Sequence, residues 1–154
     1  MAGIKIEKYV EAPSETVFDY ATDFANCAEY IDGIHKTEML TEGPVGVGTR
    51  FRETRLMFKK EAVEEMEVTA FERPRGYTLA CENHGARYAS EFILTPQGSG
   101  TNLSMSFEAT PLTMRAKILG FLMRPMMKMM AKECLKDLDG VKRAAEAAVA
   151  SKSS

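Results

Sequence analysis

Apolar and polar positions alternate along most of this chain, and the period changes only near its two ends. Residues 3–10 read as a half-buried strand, with Ile4, Ile6, Lys8 and Val10 on one side and Lys5, Glu7 and Tyr9 on the other. Pro13 ends the run, Ser14 is placed to cap, and Val17, Phe18 and Ala21 form the apolar stripe of a helix over about 14–22. The stretch NCAEYIDGI predicts a second short helix, closed at Gly33. Alternating runs then cover 34–42, 49–57, 61–71, 76–82, 86–95 and 101–109. The joins between them are short (GPVGVG, KK, ERPRG, NHG and PQGSG), which favours an antiparallel meander. From Leu112 the spacing becomes helical. Leu112, Ala116, Leu119, Met123, Met126, Met130, Cys134, Leu138, Val141 and Ala145 fall on one stripe, and Pro125 marks a bend in it.

Such an order gives one sheet with a single apolar face to hide and one element long enough to hide it. The expected architecture is α+β: a seven-stranded curved antiparallel sheet around a long C-terminal helix, with two short helices after the first strand. One domain is expected over residues 1–150, with 151–154 as a disordered tail.

Composition removes several classes of function. A formal net charge of -2 gives no global reason to expect a nucleic-acid partner. No run of apolar residues is long enough to span a bilayer, and Arg115, Lys117, Arg124, Lys128 and Lys132 interrupt the most apolar region. Cys27, Cys81 and Cys134 form no CxxC unit, so they suggest thiols in a reducing, cytoplasmic setting. His35 and His84 belong to no metal-ligand pattern, and neither a phosphate-binding loop nor a GxSxG element occurs. Asp19 and Asp23 read as a solvated helix face. The sequence therefore implies no metal and no cofactor, and it identifies no catalytic residue.

Strand parity nominates an inner face. It carries Tyr88, Ser90, Phe92 and Leu94 in one run, Leu103, Met105, Phe107 and Ala109 in the next, and Tyr77, Leu79 and Cys81 in a third. In 61–71 the same side holds Ala62, Glu64, Met66, Val68 and Ala70. The run 49–57 is ambiguous, and the set Phe51, Glu53, Arg55 and Met57 is preferred as inward over Arg50, Arg52, Thr54 and Leu56. Glu53, Arg55 and Glu64 are then either a mutually satisfied charge set or the fixed polar groups that orient a small amphipathic ligand. Met123, Met126, Met127 and Met130 are either core packing or a wall that adapts to ligands of varied outline, since methionine is unbranched. Tyr30, from the short helical pair, completes the candidate ligand-binding set. Ile118, Leu122 and Met129 fall on the outer side and leave a homodimer or another partner open.

The opening VEAPSETVFDYATDFANCAEYIDGI, the loop GPVGVGTRF, the turn TAFERPRGYTLAC and the long last helix together carry a resemblance over residues 3–147. The chain resembles the SRPBCC superfamily: START-like domains, the major birch-pollen allergen group and polyketide cyclase/dehydratase-like proteins. That resemblance implies a helix-grip fold with a hydrophobic cavity between the sheet and the last helix. It also implies that the loop Gly43–Gly48 flanks the entrance. The helix from Leu112 is expected as the opposing lip, with Tyr30 nearby. The function expected is binding of a small hydrophobic or amphipathic molecule, as a carrier or sensor of lipid or aromatic compounds. One alternative is a polyketide cyclase/dehydratase-like enzyme using Glu64 with Arg55 or Tyr88 in acid–base chemistry. The other is a protein-interaction module.

Overall fold

In the computed structural model, which describes residues 2–57, 59–83, 85–122 and 127–153, the strands are β1 (Ala2–Val10), β2 (Ile34–Met39), β3 (Arg50–Met57), β4 (Lys60–Glu72), β5 (Gly76–Asn83), β6 (Ala86–Gln97) and β7 (Gly100–Pro111). They form one seven-stranded sheet in the order β1-β7-β6-β5-β4-β3-β2, every neighbouring pair antiparallel. Helix α1 (Ser14–Ala21) and a single 3-10 turn at Cys27–Glu29 link the two edge strands β1 and β2. Helices α2 (Met114–Leu122) and α3 (Met127–Ser153) follow β7. This is the helix-grip architecture that the periodicities and the resemblance imply.

Three details differ from the sequence pattern. Ser14 does not cap α1; Pro13 occupies the cap position in extended backbone, and the Ser14 hydroxyl instead shares a 3.1 Å hydrogen bond with Thr101 Oγ1. The second short helix shrinks to one turn, because Tyr30 and Ile31 both return their amides to the Cys27 carbonyl. Helix α3 continues through residues 151–153, the start of the expected disordered tail. Residues 123–126, where the pattern puts the bend at Pro125, lie outside the described residues. Among the described residues, no helix is long and apolar enough to cross a membrane.

An antiparallel meander puts successive connections at alternate ends of the sheet. The β2–β3, β4–β5 and β6–β7 connections share the end occupied by α1, where Arg73 meets Asp19 at 2.9 Å and the Thr101 hydroxyl donates to the Ala12 carbonyl at 2.8 Å. The β3–β4 and β5–β6 turns share the opposite end with the start of α2, where the Leu112 amide donates to the Gly85 carbonyl at 2.8 Å.

The α1 end is filled with aromatic rings. Phe18 packs edge-on against Phe71 and Tyr77, Tyr77 stacks on Phe92 at 4.6 Å, and Phe24 stacks on Phe51 at 4.3 Å. Phe18, Phe51, Leu103, Val10, Val17 and Val68 are fully buried here. Each such side chain contributes about 1.5–3 kcal/mol by leaving water. Leu138, Val141 and Ala145 bring the C-terminal half of α3 onto this core and onto β1. The approach is close at Gly140, where an added Cβ would lie 2.4 Å from the Tyr30 carbonyl oxygen. We therefore expect Gly140→Ala to destabilise the fold by about 1–3 kcal/mol, despite alanine's better helix propensity. Urea unfolding read by circular dichroism measures this.

Candidate functional site

The inner face changes character along its length. At the α1 end its side chains are fully buried. Toward the α2 end Ala62, Glu64, Met66, Leu79, Cys81, Tyr88, Ser90 and Phe107 are only half-buried, although all point to the concave side. Cross-strand register brings them together: Glu53 faces Glu64, Phe51 faces Met66, Cys81 faces Tyr88, Ser90 faces Phe107 and Phe92 faces Met105. The Tyr88 and Phe107 rings stack at 5.8 Å. Together these residues form a half-buried inner wall that the rings of α1 do not reach.

The ambiguous strand β3 turns out odd side in. Phe51 and Glu53 are buried and Arg55 is nearly so, while Arg50 and Arg52 lie on the convex face, paired with Glu65, Glu67 and Glu38. Thr54 is also buried, though on the outer parity.

Arg55 sits between two carboxylates. Its Nε donates to Glu53 Oε1 at 2.7 Å, and its two terminal nitrogens reach Asp137 on α3 at 3.0 and 3.4 Å. Gly33 covers the group, with a would-be Cβ 3.6 Å from Asp137 and 3.7 Å from the guanidinium. Burial alone would lower the Arg55 guanidinium, but the Glu53 and Asp137 charges outweigh it and hold it above its ordinary value. Asp137 moves the other way from most ion-paired acids. Burial pushes its carboxyl up from 3.8 to about 6, because one guanidinium shared with Glu53 does not fully offset lost solvation.

Nearer the α2 end, the Cys81 thiol donates to Glu64 Oε2 at 3.0 Å. Burial first, then the Glu64 hydrogen bond and charge, push Cys81 up to about 12. Cys27 rises to about 12 and Cys134 to about 11, again chiefly by burial. All three free cysteines are thus protonated at neutral pH and are poor nucleophiles. The Tyr88 phenol is also raised, by burial and then by Glu64, so it stays a hydrogen-bond donor. Among the described residues, no group of three or more His, Cys, Asp and Glu side chains is placed to hold a metal ion.

The candidate ligand set divides on this structure. Glu53, Arg55, Glu64, Met66, Tyr88 and Phe107 line one continuous wall. Phe92 and Met105 mark its lower limit, where the filled core begins. Met130 lies half-buried on α3. Met123 and Met126 lie outside the described residues, as do the side chains of Met57 and Met127, and His84 among the histidines. Tyr30 stands apart, since its ring packs edge-on against Tyr20 and its hydroxyl donates to the Tyr20 carbonyl. Sequence parity missed Asp137, although it falls three residues after Cys134 and four before Val141, on the inward stripe. The expectation that Gly43–Gly48 and the start of the helix at Leu112 oppose each other across one mouth is overturned, because the meander puts them at opposite ends of the sheet. Gly43 and Gly48 adopt φ of 90° and 95°, and the Gly48 amide bonds the Val68 carbonyl, so these glycines serve turn geometry. The start of α2 instead neighbours the β5–β6 turn at Gly85. Two depressions of about 330 and 290 Å³ lie on the convex face. They are lined mainly by charged and outward-facing residues such as Arg50, Glu67, Glu82 and Arg87, or Glu72 and Glu91, although the first also touches Met66 and Cys81 and the second Tyr77 and Phe92.

With that geometry in view, the chain belongs to the family described as polyketide cyclase / dehydrase and lipid transport, whose model matches residues 1–146. Its fold is similar to that of TTHA0849 from Thermus thermophilus (TM-score 0.76, 22% identity, 96% of this chain and 99% of that one). The Zhui aromatase/cyclase from Streptomyces is similar at TM-score 0.79 and 16% identity, over 96% and 95%. A major latex-like protein from Panax ginseng is similar at TM-score 0.70 and 11% identity, over 95% of each chain. No curated protein sequence matches the chain.

Two predictions follow from the Arg55 group. Arg55→Met leaves Glu53 and Asp137 buried without their counter-charge, so it should cost about 3–5 kcal/mol in urea unfolding. Asp137, raised in the folded chain, binds its proton more tightly there than when unfolded. Its stabilising contribution is therefore complete below pH 3.8 and is lost as pH rises through about 6. The stability of the protein relative to its Asp137→Asn variant should fall by about 1–3 kcal/mol across that window.

Proposed function

We propose that the protein binds a small hydrophobic or amphipathic molecule in the hollow between the sheet and α3, as a carrier or sensor. The observation that carries this reading is the half-buried inner wall of Met66, Leu79, Tyr88 and Phe107 beside a completely filled aromatic core. Protein interiors are otherwise close-packed, so a half-buried inner face supports space kept for a ligand. Polar groups narrow the ligand further. Among the described residues the region holds three carboxylates, Glu53, Glu64 and Asp137, and Arg55, which pairs with Glu53 and Asp137, so its described charges are mostly negative. A ligand whose polar end donates hydrogen bonds, such as a phenol or alcohol, suits this wall better than a carboxylate. Three free thiols suit a cytoplasmic protein.

The test compares naphthol with naphthoate by fluorescence titration. Naphthol should bind at least tenfold more tightly, and Phe107→Glu should abolish that binding in a variant that circular dichroism shows to be folded. Equal affinities, or naphthol binding that survives Phe107→Glu, contradict this reading.

A second reading has its own support in Glu64 and the raised Tyr88 phenol, which lie on either side of Cys81 on the inner face. There Glu64 would take a proton from the carbon between two carbonyl groups, and Tyr88 would donate a hydrogen bond to the resulting enolate oxygen. This is cyclase or dehydratase chemistry. If it operates, Glu64→Gln should slow turnover of a poly-ketone substrate by about a hundredfold with binding retained. Unchanged turnover rules out that role for Glu64.

A further inference from the structure

Helix α2 buries almost nothing. Met114, Ile118, Phe121 and Leu122 are exposed by 74%, 61%, 68% and 68%. Their spacing (i, i+4, i+7, i+8) puts them on one side of the helix. Arg115 and Lys117 flank that stripe, one on each side. Ala116, opposite the stripe, is the residue beside Gly85 at the β5–β6 turn, so the apolar stripe faces away from the sheet. Exposed Lys128, Met129 and Lys132 follow at the start of α3. From Ala109 to Lys132 the sequence contains no acidic residue, although the whole chain has a formal net charge of -2. Lys59 and Lys60 of the β3–β4 turn stand at the same end of the sheet, with Glu61 beside them and with Glu82 paired to Arg87.

We propose that this end of the molecule docks on an anionic lipid surface. α2 lies in the interface, with Met114, Ile118, Phe121 and Leu122 among the upper acyl chains and Arg115, Lys117, Lys128 and Lys132 at the level of the headgroups. An apolar stripe edged by cations is the pattern of a helix that lies in a membrane surface, since long basic side chains keep their charge in the headgroups while their stems cover apolar surface. A second copy of the chain fits the same surface poorly. At a two-fold interface the patch meets itself, which sets the cations of one copy against those of the other. Docking here puts the open end of the hollow against the bilayer. The proposal stands whether or not the hollow holds a ligand, because the vesicles used to test it carry no cargo.

The test is co-sedimentation of the full chain with vesicles. Binding is expected to vesicles of phosphatidylglycerol and phosphatidylcholine in equal parts, and not to phosphatidylcholine alone. Each cation near an anionic surface strengthens binding about fivefold, so reversing Arg115 and Lys117 together to Glu should weaken it more than tenfold. Ile118→Ser with Leu122→Ser should weaken binding at unchanged charge. All four positions are exposed, so melting temperatures should not move, and an unfolded variant is recognised by that measurement. Failure to bind anionic vesicles overturns the proposal, as does binding indifferent to both pairs of substitutions. Light scattering that shows self-association abolished by the same variants, without vesicle binding, overturns it in favour of a homodimer.

Discussion

A seven-stranded sheet offers more inner surface than one helix can cover, and that mismatch organises the molecule. α3 solves it only over its C-terminal half, where Leu138, Val141 and Ala145 are buried against β1 and α1. The rings of Phe18, Phe24, Phe51, Tyr77 and Phe92 fill the space left at the α1 end. At the other end α3 presents half-buried Met130, Ala131 and Cys134, and the inner face of β4–β7 stays partly open. The filled core and the partly open inner face thus occupy different halves of one sheet.

The two halves are tied by the Arg55 group. It connects β3 to α3 under Gly33, at the side of the hollow, with both carboxylates aimed at one guanidinium. A buried ion pair of this kind adds little net stability over an apolar replacement, but removing one member is costly. Its consequence is geometric: it ties α3 to β3. It also leaves the described part of the wall acidic, which is the basis for proposing a donor-bearing ligand.

The fold was legible because its signals are local. Alternation over 86–95 and 101–109 identifies the inner faces of β6 and β7, and the change of period after β7 marks the helical region. β3 is harder to read, because charged residues occupy both of its faces; the burial of Phe51 and the pairing of Arg55 with Asp137, 82 residues away, make the inward side clear. Asp137 itself looked like one charge among many on an amphipathic helix. Glycine content suggests mobility at Gly43–Gly48, whereas the end of the sheet at which a loop lies depends on counting strands. In the sequence the exposed stripe of α2 shows only in Ile118 and Leu122, since one long stripe drawn from Leu112 hides the separate orientation of the short helix.

Family membership joins cyclase, dehydrase and lipid-transport functions in one description, and these share the requirement of apolar space beside a few fixed polar groups. The most direct test of the account is mass spectrometry of what the protein carries. The chain and its Phe107→Glu variant are purified identically from the native host, denatured in organic solvent, and the extracts compared. The account predicts a hydrophobic or hydroxylated aromatic compound, near one per chain, released by the unmodified protein and missing from the variant. Extracts that are identical, or that contain no such compound in either case, would contradict it.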